Sequence, residues 1–466
     1  MKSSFPLLLP AFTFQFRSGR QGEADGKGVW AESRLPYESW ANYVRVISTA
    51  HRPLGVVSQT RTKIVTGKDY SQKAKTYLTA LCSVKPNRRV GSPGNRAATE
   101  FFAQTIQSWG YAIDTTPFPC LDFQSGEPSL SCNDKPFKVH TSPYSLGCDV
   151  TAELETVSTV EELEKCTCNG HILLMKGAIS AEQLMPKNFV FYNPDHHQRI
   201  YALLEEKRPA AIITATRRNP ELVGALYPFP MIEDGDFDIP SVYCTDTVGE
   251  RIAGETGRMF RLRIDAQRIP ATAYNVVARK NPTAKAKIVV CAHIDAYGDT
   301  PGASDNASGT VVELLLAEML AEYYGRLGIE IVAFNGEDHY SAGGQMDYLR
   351  RYGKAMEEML LAINIDDVGY VHGKTAYSLY ECPDEIQDKA DAVFGIFDGI
   401  IRGDQWYQGD HMIFAQNGKA AIAITAERFP ELMAIVTHTP RDTPEIIDCD
   451  KLVEIADALQ SFITQF

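Results

Sequence analysis

The 466-residue chain lacks the motifs that mark several enzyme and binding classes. It has no HExxH, which excludes a thermolysin-like zincin, and no GxGxxG after a strand, which leaves a dinucleotide enzyme unsupported. No stretch reaches the roughly 18 consecutive apolar residues of a membrane helix, so no span is expected. Basic residues are in deficit: 46 Lys and Arg face 59 Asp and Glu, for a formal net charge of −13. Phosphate binding wants a basic face, so nucleic acid is not expected as a partner. The ten cysteines form no CxxC pair and no disulfide-dense pattern. In a chain this long they are expected as buried thiols. Cys166 and Cys168 stand near His171 but lack a complete tetrahedral set, so packing thiols and an inert His are expected there.

What is present is organised around one stretch, Lys287 to Gly309, which reads KIVVCAHIDAYGDTPGASDNASG. Ile288 to Ala292 is an apolar run of strand length. Having no polar alternation, it suits a strand covered on both faces. It stops at His293-Ile294-Asp295, so an imidazole and a carboxylate emerge at the strand's end. A loop bearing glycine and proline delivers Asp305-Asn306-Ala307-Ser308-Gly309. Thr310 to Leu320 follows as a helix, with Asn306 or Ser308 placed to cap it. Ligands of open α/β sheets bind beyond the carboxyl ends of strands, where His293 and Asp305 stand.

A chain of this length is expected to hold more than one domain. Near its start, Phe5 to Phe12 follows Lys2 in the manner of an export signal. Pro6 and Pro10 interrupt that run, and no small-residue cleavage site follows. A poorly ordered extension is expected over residues 1–66, with a cytoplasmic location and export as the alternative. Ala74, Tyr77, Leu78 and Leu81 then share one helical face, and Asn95 is placed to cap a second helix that stops at Gly110. From about Leu121 to Ala271, strand-like segments such as Ile172–Met175, Phe189–Tyr192, Ala210–Thr214 and Ser241–Cys244 alternate with loops rich in Pro, Gly, Asp and Asn. A helix is expected over His197–Glu206. His196 and His197 are expected as solvated loop residues, since adjacent residues rarely ligate one ion. This block reads as an inserted, non-catalytic module. From Tyr274 onward, strands at Asn275–Ala278, Lys287–Ala292, Ile329–Phe334, Leu361–Ile365 and Ala420–Ile424 alternate with helices, the last over Asp450–Phe466. That rhythm implies a largely parallel sheet with helices on both faces.

Four later positions join His293 and Asp305. One strand ends in Asn335-Gly336-Glu337-Asp338, another in Asp366-Asp367, and a late loop reads Thr437-His438-Thr439-Pro440-Arg441-Asp442-Thr443. Acidic and imidazole groups thus end several strands at one sheet edge. Two divalent ions would offset the repulsion among those carboxylates. Residue type alone leaves His339 open beside Asp338, and Asp367 beside Asp366. Asp295 is placed to accept the ring N–H of His293.

In this order, HxD, DNASG, a strand ending in Glu-acid, a strand ending N-x-D, and HTxxDT, the chain resembles the di-zinc aminopeptidases. This is the group of aminopeptidases Y and S and the glutamate carboxypeptidases with a protease-associated (PA) domain. The resemblance covers Ser71 to Leu121, including RVGSPGNRAATEFF, and Tyr274 to Phe466. The insert is similar to a PA domain through GHILLMKGA, PAAIITA and IPSVYCT. The resemblance implies a three-layer α/β peptidase domain over residues 67–121 and 272–466, with a mostly parallel central sheet, and a β-rich PA-like insert over 122–271. It implies two zinc ions, one on His293 and Asp366, the other on Asp338 and His438, with Asp305 bridging and Glu337 as general base. The register favours Asp366 over Asp367, and Asp338 over His339, although many members carry Glu where Asp338 stands. Asp410 and His411 resemble a motif near the substrate pocket. The activity implied is removal of N-terminal residues from peptides with a free N-terminus. The alternatives are a zinc carboxypeptidase or glutaminyl cyclase of the same fold, and a receptor-like binding protein that has lost its metals. A cyclase resembles a one-zinc site, and the inert reading sits poorly with a complete set of ligand positions and a base.

Overall fold

Alternation along strand Lys287–His293 divides its side chains between two apolar layers. Ile288 and Val290 pack with helices Gly67–Cys82, Pro93–Gln107, Ser308–Met319 and Cys449–Ile463. Val289 and Cys291 face the other way, toward Tyr348, Met356 and Phe414. The strand is therefore apolar throughout because both of its faces are covered. This computed structural model describes residues 67–189, 193–216, 230–298, 300–339, 342–407 and 409–466. The extension expected over 1–66, and most of the strand expected at Phe189–Tyr192, lie outside the described residues.

The central sheet has eight strands, in the order Ala112–Asp114, Val276–Lys280, Gly328–Phe334, Lys287–His293, Met359–Ile365, Ala421–Ala426, Thr375–Tyr380 and Ile400–Arg402. The four strands from Gly328–Phe334 to Ala421–Ala426 run parallel. Outside them the direction reverses at Val276–Lys280 and again at Thr375–Tyr380. The sheet is mixed: its centre is parallel as expected, and antiparallel joins appear only toward the two edges. Direction is set by how a connection returns to the sheet, and side-chain periodicity carries no record of it.

A long antiparallel ribbon, Pro117–Ser125 against Ala266–Tyr274, leads to a second eight-stranded sheet. Its middle strands Cys148–Val157, Ile172–Met175, Ala211–Thr216 and Ser241–Thr245 are parallel. Helix Asp195–Lys207 packs on it, and buried Cys168 sits in the same layer as Leu173 and Ile212. Among the described residues no helix is long and apolar enough to cross a membrane.

Two local details bear on the site. Helix Pro93–Gln107 is capped by Ser92, whose Oγ accepts from Asn95 N at 3.0 Å. The expected cap, Asn95, is instead a buried donor to Arg88 O and to Asn335 Oδ1. Pro93 explains the shift: it fits the first helical position, which puts the cap at Ser92, three residues before Asn95. Arg88 is buried, and its guanidinium donates to Leu81 O (3.0 Å), Ile294 O (3.0 Å), Pro301 O (2.7 Å) and Gly302 O (2.7 Å). It ties the end of the first helix to the loop between His293 and Asp305. Arg88→Met should leave buried carbonyls without donors and lower stability by at least about 3 kcal/mol. Arg88→Lys should recover only part of this, because a point charge cannot reproduce the planar fork. Urea unfolding checks both, and an unchanged midpoint for the Met variant would refute this role.

Candidate active site

The parallel strands end at one edge and present their polar residues together. His293 closes strand Lys287–His293 and is buried. Its Nε2 lies 3.1 Å from Asp305 Oδ1 and 3.4 Å from Asp366 Oδ1. The other oxygen of Asp305, Oδ2, lies 3.2 Å from His438 Nε2. His438 Nε2 in turn lies 2.8 Å from Asp338 Oδ1. One carboxylate, Asp305, thus faces both imidazoles through different oxygens. Glu337 Oε2 stands 3.9 Å from His293 Nε2, with its side chain 21% exposed, the most open of these six residues.

The backbone that aims Asp305 is held from several sides. Asp442 Oδ1 accepts from Ser304 N at 2.6 Å, and its Oδ2 accepts from Asp305 N at 3.1 Å. Asn306 Oδ1 accepts from Gly309 N at 2.9 Å, opening the following helix as expected of a cap. A Cβ at Gly309 would come within 2.3 Å of Ile365 O, so this turn presses directly on the neighbouring strand. Asp442 lies in the stretch Thr437 to Thr443 with His438. Its function as an acceptor for a distant turn has no local signal.

The two open choices at the ligand positions separate in space. Asp366 faces His293, whereas Asp367, at φ +51°, turns away and accepts from Ser304 Oγ at 2.7 Å. Asp338 faces His438, whereas His339 Nδ1 lies 2.9 Å from Asp295 Oδ2. Asp295 differs from expectation. It is 3.7 Å from His293 Nδ1, beyond hydrogen-bond length, and its Oδ1 accepts instead from Gly336 N (2.7 Å) and Glu337 N (3.3 Å). It grips the loop carrying Glu337 more firmly than it grips the imidazole. Asp410 accepts from Gln345 Nε2 at 2.8 Å, and His411 Nε2 faces Trp406 O at 2.9 Å. Both are buried and engaged with the fold.

The electrostatics are those of a cluster short of positive charge. Burial favours neutral imidazole, yet the carboxylates of Asp366, Asp295 and Asp305 outweigh it and raise the proton affinity of His293. His438 is raised in the same way against burial, chiefly by Asp338 and Asp305. Burial together with the charges of Asp338, Asp410 and Asp366 holds the Glu337 carboxyl well above the usual range, although His293 opposes this. Asp410 is pushed up to about 8 by burial and by Asp366 and Asp295, against His293 and Gln345. A divalent cation would take the place of those protons. The residues fit one: both ring nitrogens of His293, Asp338 Oδ2 and Asp366 Oδ1 are buried without a hydrogen-bond partner among the described residues. Two mutually close sets, His293–Asp305–Asp366 and Asp305–Asp338–His438, share Asp305.

The β-rich part of the chain reaches this cluster, which the sequence did not suggest. Tyr297 stacks on His438 at 4.3 Å between ring centroids and 9° between planes. Glu233, a buried carboxylate from the segment before strand Ser241–Thr245, feels the charges of His438 and Asp338. Burial and Asp338 push Glu233 up to about 8, with His438 and Tyr297 opposing. His196 is solvated as expected, but the expectation of loop residues and of a solvated His197 is corrected. Both lie in the first turn of helix Asp195–Lys207, and His197 is buried. Glu182 Oε1 lies 2.8 Å from His196 Nε2 and 3.2 Å from His197 Nε2. His197 Nδ1 accepts from Met185 N at 3.0 Å, which leaves the proton of a neutral ring on Nε2, pointing at Glu182. This trio is a carboxylate facing two rings, since a metal on Nε2 would require His197 to lose its last proton.

Residues 275–463 match the family model of Peptidase family M28. A probable lipoprotein aminopeptidase of Mycobacterium tuberculosis is 23% identical over 285 residues, covering 60% of this chain and 54% of that protein. The chain therefore spans about half the length of this relative. Among solved structures, an aminopeptidase from Aneurinibacillus sp. strain AM-1 aligns with a TM-score of 0.67 at 21% identity, covering 85% of this chain and 93% of that one. BSAP, a zinc aminopeptidase from Bacillus subtilis, aligns with a TM-score of 0.64 at 18% identity, covering 85% and 94%. At these identities the structures speak for the fold. The segment that supplies His293, Asp305, Glu337, Asp338, Asp366 and His438 is the one that matches the Peptidase family M28 model.

Proposed function

We propose that the chain is a zinc-dependent aminopeptidase holding two ions, one on His293 and Asp366 and one on Asp338 and His438, bridged by Asp305. The observation that carries this reading is Asp305 itself, with one oxygen 3.1 Å from His293 and the other 3.2 Å from His438. A lone structural ion would not need two imidazoles on opposite sides of a shared carboxylate. The named activities and the zinc of the similar proteins support the same class. When bound, zinc would acidify a water to a pKa of about 7 and polarise the scissile carbonyl.

The chain's own residues supply the remaining steps. Glu337, the most open carboxylate of the cluster, takes a proton from the attacking water onto its side chain and returns it to the leaving nitrogen. Asp295 fixes the Gly336–Glu337 backbone so that this carboxylate stays beside His293. Asp410 and His411 support the site from behind, since both are occupied by Gln345 and Trp406. The block over 122–271 is read as a PA-like insert entered and left through the ribbon at Pro117–Ser125 and Ala266–Tyr274.

A substrate's α-ammonium would meet a site rich in carboxylate, with Glu337 on it and Asp295, Asp367 and Asp410 behind. Removing that charge by acetylation should slow cleavage greatly, while C-terminal amidation should matter little. One short peptide in free, N-acetylated and C-amidated forms, with products identified by mass, tests this. Equal cleavage of the acetylated form, or loss of residues from the C-terminus, would reject the aminopeptidase in favour of a carboxypeptidase.

A further inference from the structure

We propose that His339 is a positioning residue that holds the Glu337 loop in its working place, seated between Asp295 on one side and Tyr144 of the β-rich part on the other. The inference rests on the reading of Glu337 as the base. Glu337 and Asp338 lie on a short segment that leaves strand Gly328–Phe334, and Gly336 turns it at φ +84°. Asp295 fastens that segment at both ends. Its Oδ1 accepts from Gly336 N at 2.7 Å and from Glu337 N at 3.3 Å, and its Oδ2 faces His339 Nδ1 at 2.9 Å. A carboxylate accepts, so Nδ1 carries the hydrogen. With each oxygen held from a different side, the carboxylate cannot swing away and release the two backbone donors. His339 Nε2 is buried without a hydrogen-bond partner among the described residues, so the directional bonding of the ring rests on Nδ1.

Such a clamp fixes Glu337 only if the imidazole is itself held. His339 and Asp295 are both buried. Tyr144 meets the imidazole edge to face, at 6.1 Å between ring centroids and 82° between planes. That geometry lies in the favourable range for aromatic pairs. Tyr144 is in turn built into the fold. It is buried, and its backbone is left-handed at φ +57°, which a non-glycine residue rarely adopts. Its carbonyl accepts from Arg268 Nε at 2.6 Å, and its ring lies 5.6 Å from that of Phe123. Arg268 and Phe123 stand opposite each other on the antiparallel ribbon that leads to the second sheet. The ribbon thus backs the His339 ring through Tyr144, and the ring backs the carboxylate that grips the Glu337 backbone.

The test uses the full chain as wild type, His339→Asn, His339→Gln and His339→Ala. An Asn amide nitrogen stands as many bonds from the backbone as Nδ1 does, whereas a Gln amide reaches toward Nε2. Turnover of an unblocked short peptide gives kcat and KM, and elemental analysis gives zinc. Amide hydrogen exchange over residues 336–339 is read on the metal-free proteins. His339→Gln and His339→Ala should lower kcat by at least ~10-fold, toward the ~10²-fold that a misplacement of about 1 Å costs, with KM and zinc content as in the wild type. Both should exchange faster at Gly336 and Glu337. His339→Asn should restore kcat and protection, because it donates from the Nδ1 position. Tyr144→Leu should give a smaller fall, by a factor of roughly 2–10, the worth of an aromatic pair. Equal turnover of the Asn and Gln variants, or wild-type exchange in both the Gln and Ala variants, would overturn the inference and leave the role of Glu337 standing. Loss of zinc from His339→Ala would overturn it as well, by making the imidazole a ligand. A Glu337→Gln protein with wild-type turnover would instead sink the reading on which it rests, and the inference with it.

Discussion

Glu337→Gln is expected to lower kcat by at least ~10²–10⁴, the range for losing a positioned acid–base group. That corresponds to roughly 3–5 kcal/mol of transition-state stabilisation. The substitution keeps the size and shape of the side chain and the backbone bonds from Gly336 and Glu337 to Asp295. It removes only the ability to take up a proton. Zinc content should therefore stay at the wild-type level, because Glu337 acts on water and is not required as a ligand. The two measurements separate roles: a variant that loses both activity and metal would make Glu337 a ligand. Near-normal turnover with full metal content would remove it from catalysis altogether.

Asp305→Ala is expected to empty both positions, because it removes the one carboxylate that faces both His293 and His438. What remains is a pair of separated half-sites, His293 with Asp366 and His438 with Asp338. Two protein ligands on each fall short of the three that catalytic zinc sites keep. His438→Ala, by contrast, should weaken one position and leave the His293 side near normal. Elemental analysis after dialysis reads both variants. The pattern to look for is loss of two ions in one variant and one ion in the other. An Asp305→Ala protein that retains one ion at full affinity would show that the carboxylate serves a single position, and a one-ion wild type would revive the cyclase alternative.

Both predictions concern charge balance. The cluster holds more carboxylates than imidazoles, and the shifts at His293, His438 and Glu337 all run toward protonation. Removing metal from the protein should therefore be accompanied by proton uptake. The cations and protons compete for the same buried lone pairs.

Several features could be read directly from the chain because they are local. Ile288 to Ala292 had to be a strand covered on both faces, since an uninterrupted apolar run of that length leaves no face for water. His293, Glu337, Asp338 and Asp366 could be placed at strand ends because each follows such a run within a few residues. Tertiary structure decided what depends on partners far along the chain. Strand direction at the sheet edges, the donation of Arg88 to the 294–302 loop, and the hold of Asp442 on Asp305 leave no periodic trace. The choice of Asp366 over Asp367 as the residue facing His293 turns on one positive φ. Glu233 lies in an acidic loop that looks like any solvated turn, yet it is buried. Composition and spacing specify which side chains a strand can deliver to an edge. Only the packing of separate elements specifies which of them meet, because contact free energy depends on distance in space and is blind to distance along the chain.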